Sequence, residues 1–190
     1  MHFSIYFLAV VPFLVSVASQ DGAPECLKKI AFGKTCTTAE PSIKYHFDNE
    51  TGLCMAFGFK GCGGNKNNFE DSGFCSGLCK PTSITGCPVK SQPLKKTDGT
   101  VLCNEDTDCK ANGYCMRRLA GGGICCRKAV KDKVASDYAP SCGKNRTVVI
   151  IRDAAGNDEV LIGKSCDSNF CPKGSKCTMG NYFATCCKKI

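Results

Sequence analysis

The 190-residue chain predicts a small disulfide-rich protein built from several stapled modules, and three observations carry that reading. It holds 18 cysteines, nearly one residue in ten, a density that belongs to disulfide scaffolds. It has no tryptophan, and its 43% hydrophobic content includes those cysteines and an apolar amino terminus, so little side chain remains for one large core. The cysteines also fall into three consecutive sets of six. An even count at this density requires an oxidising compartment.

The amino terminus supplies the address. Residues Phe3 to Ala18 are nearly all apolar and uncharged, and small residues follow at Ser16, Ala18 and Ser19, so residues 1–19 read as a signal peptide. A membrane span needs about 20 apolar residues, and this run is shorter and contains Pro12. The expectation is a secreted, extracellular protein with no membrane span.

The first cysteine set is Cys26, Cys36, Cys54, Cys62, Cys75 and Cys79. The second runs from Cys87 through Cys103, Cys109 and Cys115 to the adjacent pair Cys125 and Cys126, and the third from Cys142 through Cys166, Cys171 and Cys177 to Cys186 and Cys187. The second and third share similar short spacers and end in a vicinal pair, so they are an internal repeat; the first is different in kind. Modules are therefore expected at 26–79, 87–126 and 142–187. Residues 127–141 alternate lysine, aspartate and small side chains and read as a solvated, protease-sensitive linker.

Several chemistries are excluded on residue type. Beyond the leader the only imidazole is His46, which leaves triad hydrolysis and histidine-based acid–base catalysis without residues, so no catalytic residues and no cofactor are expected. Metal binding is not expected either, because the cysteine spacings are not Cys-x2-Cys pairs. Gly121-Gly122-Gly123 lacks the Lys-Ser or Lys-Thr of a phosphate loop and reads as turn material. The net charge of +8 comes from scattered lysines and arginines with no aromatic platform, so no nucleic-acid partner is expected.

The last four cysteines of the first set step by 8, 13 and 4 residues, among Tyr45, Phe47, Gly52, Phe57, Phe59, Gly61, Asn67, Asn68 and Phe69. Tyr45 and Phe47 alternate on one strand and Phe57 and Phe59 on another, with Asp48 to Gly52 between them, so the rings are expected on one face of a twisted hairpin. Glu70 to Leu78 reads as a short helix. This combination resembles the Kunitz family, the pancreatic trypsin inhibitor-like domains, over residues 26–79. The fold class it implies is a small α+β module, a twisted β-hairpin with short helices, followed here by two six-cysteine loop- and β-rich modules. Six cysteines allow 15 pairings; the resemblance implies Cys26 with Cys79, Cys36 with Cys62, and Cys54 with Cys75. It also implies that Asn67 and Asn68 hold buried backbone groups.

What the resemblance implies about function is inhibition of a serine protease by a rigid loop. The residue after Cys36 would fill the primary pocket, and here that is Thr37, followed by Thr38. Lysine or arginine there would pair with a pocket carboxylate, which threonine cannot do, so trypsin is not the expected target, while an elastase-like pocket tolerates a small residue such as Thr37. The spacers before and after Cys36 are longer than usual for the family, Thr38 is bulkier than the usual glycine or alanine, and Lys60 stands where glycine is common.

Gly86-Cys87-Pro88, Asp98-Gly99, Gly113-Tyr114-Cys115 and Cys125-Cys126 resemble the lustrin-type cysteine-rich repeat, and the third set is a looser copy. That resemblance implies extracellular structural roles, so the second functional reading is a matrix or cuticle component with matrix proteins as partners and a non-inhibitory Kunitz scaffold. Two glycosylation sequons, at Asn49 and Asn145, lie on predicted loops.

Overall fold

The structure is a computed structural model and describes residues 23–80, 86–118, 121–153 and 155–190. The proposed signal peptide, 1–19, lies outside the described residues. All 18 cysteines are paired in nine disulfides, each confined to its own set of six. Within the first set the bridges are Cys26–Cys79, Cys36–Cys62 and Cys54–Cys75. In the chain-entropy model, closing the longest of these loops stabilises the fold by about 4 kcal/mol. The vicinal cysteines diverge: Cys125 joins Cys109 and Cys126 joins Cys87, while Cys186 joins Cys171 and Cys187 joins Cys142.

The first set folds as strand β1 (Ser42–Asp48), strand β2 (Leu53–Phe59) and helix α1 (Ser72–Cys79). β1 and β2 form an antiparallel hairpin. Asp71 starts α1 because its carboxylate accepts the Phe74 backbone N–H at 2.8 Å. The rings do not share one face as expected. The turn sets Tyr45 opposite Ala56 and Lys44 opposite Phe57, and residues directly opposite in an antiparallel pair project to the same side. Tyr45 and Phe47 therefore lie on one face with Ala56, and Phe57 and Phe59 on the other with His46.

The second set contributes β3 (Leu102–Cys103), β4 (Gly113–Arg117) and β5 (Gly123–Arg127) in the order β3-β5-β4. Then comes the main departure from expectation. The segment read as a solvated linker carries helix α2 (Lys128–Tyr138). Its Val130, Val134 and Asp137, spaced i, i+4, i+7, are shielded while most of the intervening residues are exposed, so one stripe of the helix packs inward.

The third set adds β6 (Arg146–Val148), β7 (Ile150–Arg152), β8 (Asp158–Val160), β9 (Ile162–Gly163), β10 (Ser175–Met179) and β11 (Ala184–Lys189). β7 and β8 form a two-stranded hairpin. The remaining strands join the first set in one sheet of order β1-β2-β9-β11-β10, with β6 beside β11. The junction is parallel, at Ala56 and Gly163, and it covers the edge that β2 would otherwise leave open. One core lies beneath this sheet, uniting Tyr45, Phe47 and Phe69 with Leu161, Phe170 and Ala184. Among the described residues no helix is long and apolar enough to cross a membrane.

Candidate functional site

The candidate site is the loop after Cys36 and the segment behind it. Thr37, Thr38, Ala39 and Glu40 are all exposed, whereas Cys36 and Cys62 are partly buried. The Thr38 hydroxyl lies against the disulfide, 3.6 Å from Cys36 Sγ and 3.4 Å from Cys62 Sγ. Below the bridge, the Lys34 N–H donates to the Cys62 carbonyl at 2.7 Å and the Cys62 N–H donates back to the Lys34 carbonyl at 3.0 Å. The loop is thus tied to its support by one covalent bond and a reciprocal pair of hydrogen bonds.

Two glycines allow this close approach. Gly61 has φ 111°, and a Cβ there would stand 2.5 Å from the Ala39 carbonyl oxygen. Gly33 has φ 69°, and a Cβ there would meet the Cys62 carbonyl oxygen at 2.4 Å. Either conformation disfavours residues with side chains, and either side chain would push the loop off its base.

Asn67 holds the other end of the module. It is 1% exposed; its Oδ1 accepts the Phe47 N–H at 2.7 Å, and its Nδ2 donates to the carbonyls of Phe47 at 2.9 Å and Lys28 at 2.7 Å. One amide therefore satisfies backbone groups of β1 and of the amino-terminal segment at once. Asn68 makes no side-chain hydrogen bond among the described residues, so the expected role falls to Asn67 alone.

The two sequons differ. Asn145 is exposed, whereas Asn49 is half-buried and its Nδ2 donates to the Cys26 carbonyl at 3.0 Å. Asn49 also borders a groove of 550 Å³ between the first and third sets, where Lys164 Nζ reaches Asp48 at 2.9 Å and Glu50 at 2.8 Å. His46 lines the same groove but is 4% exposed, and among the described residues neither ring nitrogen has a partner. Burial pushes its pKa below the ordinary imidazole value, Asp48 and the Phe47 backbone oppose that, and Lys164 adds to it. The imidazole packs edge-on against the Phe57 ring.

Cys103, Cys109 and Cys125 bring their sulfurs within 4.8 Å of one another, the arrangement of a metal site. Each of those sulfurs is already in a disulfide, so no thiolate is offered and the proximity follows from two adjacent bridges.

A disulfide-pinned, exposed loop on a stapled α+β scaffold is a rigid segment open to a partner. Residues 25–80 match the family model of the Kunitz/Bovine pancreatic trypsin inhibitor domain. Over nearly its whole length the chain is similar to the Major allergen Ani s 1 of Anisakis simplex, at 32% identity across 98% of this chain and 97% of that protein. It is likewise 32% identical to a BPTI/Kunitz inhibitor domain-containing protein of Caenorhabditis elegans, across 96% of this chain and 98% of that one. Chelonianin of Caretta caretta is 36% identical over 38% of this chain and 64% of its own length. The chain belongs to the Kunitz family and is a protease-inhibitor-like protein. No solved structure matches it.

Proposed function

We propose that the chain is a secreted inhibitor of a serine protease with a small primary pocket, in which Thr37 enters that pocket and Thr38 follows the scissile bond. The observation that carries this is the exposure of Thr37 and Thr38 directly beside the Cys36–Cys62 bridge. A loop already held in one conformation loses little entropy on docking, and a cleaved loop stays in place. Threonine is uncharged and short, which suits an elastase-like pocket. The nine disulfides and the Kunitz relatives support an extracellular site of action. The 87–126 and 142–187 regions are read as lustrin-type repeats.

The test is an inhibition panel with the full chain. Nanomolar inhibition of an elastase-like enzyme, with little effect on trypsin, supports this reading. Silence against trypsin, chymotrypsin and elastase overturns it in favour of a matrix or cuticle component whose Kunitz scaffold has no protease target.

A further inference from the structure

We infer that the turn at residues 166–169, in the third cysteine set, is a second contact surface for the protease held by the Thr37–Thr38 loop. The inference rests on the inhibitor reading and adds to it a segment more than a hundred residues away in sequence. Gly58 provides the link. A Cβ on Gly58 would lie 2.2 Å from the Asn169 carbonyl oxygen, so the turn is seated directly on the β2 backbone. Gly58 pairs with Ile43, one rung from the Ser42–Phe59 pair that ends the hairpin on the side where the binding loop enters β1.

Gly61, whose backbone abuts Ala39 of the binding loop, lies two residues beyond the end of β2 and three positions after Gly58, so the Cα atoms of the two glycines are at most about 11 Å apart. A protease–inhibitor interface covers about 800 Å² on each partner, a patch roughly 30 Å across. A patch of that size centred on the Ala39–Gly61 contact takes in Gly58 and the turn seated on it.

The turn is built to present side chains and not to move. Ser168 and Phe170 are buried beneath it, whereas Cys166, Asp167 and Asn169 are exposed. Cys166 is bridged to Cys177, and Asn169 Nδ2 donates to the Asp167 carbonyl at 2.9 Å. The Asp167 carboxylate, at the edge of the groove that Lys28, Lys29 and Lys164 also line, makes no hydrogen bond or ion pair among the described residues and keeps a free acceptor. Lys34 and Lys60 are exposed close to the binding loop, which itself carries the exposed Glu40, so the combined surface carries both signs of charge at the loop and a carboxylate at the turn. It fits a protease rim with a cation facing Asp167.

Trypsin serves as the probe, against the full chain carrying Thr37→Arg. Adding Asp167→Lys should weaken inhibition by about tenfold, chiefly through slower association and with a smaller effect at high salt. Asn169→Gly, which suits the left-handed φ of 51°, should weaken it at an unchanged melting temperature. Inhibition unaltered by both substitutions overturns the second surface and leaves the loop reading standing. Failure of the Thr37→Arg chain to inhibit trypsin at all removes the loop reading and this inference together.

Discussion

The Asp137 carboxylate accepts the Tyr182 backbone N–H at 2.6 Å, joining helix α2 to the turn before β11 across 45 residues. The same carboxylate takes the N–H groups of Asn181 at 2.7 Å and Phe183 at 3.2 Å and the Asn181 amide at 3.0 Å. Three consecutive backbone donors are satisfied by one side chain that is 3% exposed. Burial raises its pKa, but these hydrogen bonds outweigh burial and hold the carboxyl below its ordinary value.

Asp137→Ala should cost about 3 kcal/mol, because it strands buried donors that had a charged acceptor. The stabilisation has a definite sign with pH. A depressed folded pKa means that it is fully present above the unfolded carboxylate range and is lost as pH falls through the folded value. Acid melting of wild type and variant should therefore converge at low pH. Limited proteolysis gives a second readout: residues 128–138 should resist cleavage in the native chain and become susceptible in Asp137→Ala. Rapid native cleavage there would contradict the docked helix.

His46 predicts the opposite end of the acid range. Its folded pKa lies below the ordinary 6.5, so the unfolded chain takes up a proton before the folded chain does. Stability is then lost as pH falls through the unfolded value and toward the folded one. His46→Phe, which keeps a ring against Phe57 at the 5.6 Å His46–Phe57 packing position, should flatten the fall in melting temperature between about pH 7 and pH 5. Parallel curves for the two proteins would show that the imidazole is not the responsible group.

Thr37→Arg should gain trypsin inhibition, because a guanidinium on a loop anchored at Cys36–Cys62 can pair with the carboxylate of the trypsin pocket. The measurement is the inhibition constant of the full chain before and after substitution, with a gain of at least about a hundredfold expected from one buried charge pair. No gain would mean that the longer spacers flanking Cys36 have moved the loop out of register.

Of the two sequons, Asn145 should carry the glycan. Asn49 already uses its amide on the Cys26 carbonyl, and the Thr51 hydroxyl donates to Asp48 at 2.6 Å. Intact mass of protein secreted from a glycosylating host should drop with Asn145→Gln and stay unchanged with Asn49→Gln. The reverse pattern would show that the Asn49 side chain leaves its hydrogen bond before folding is complete.

Local signals were readable in the chain. Alternating aromatic residues around Asp48–Gly52 mark a hairpin and Glu70 to Leu78 read as a short helix, each from neighbours a few residues away, whereas the role given to Thr37 and Thr38 rests on family resemblance. The pairing within the first cysteine set came from family resemblance, since spacing leaves 15 alternatives. Which rings share a face depended on the parity of the β1–β2 turn, a one-residue matter that composition does not carry.

The union of the first and third sets was decided only in three dimensions. Nothing near Ala56 announces that Gly163 pairs with it, and Gly58 reads as an ordinary strand glycine until Asn169 is seen resting on it. The Val130, Val134 and Asp137 stripe was hidden because two valines and an aspartate among lysines look solvated, and the backbone donors that make Asp137 a buried residue lie 45 residues further on. Disulfides staple each set locally and so leave their mark as even counts. Docking between sets rests on surface complementarity between distant segments, and that exists only once both have folded.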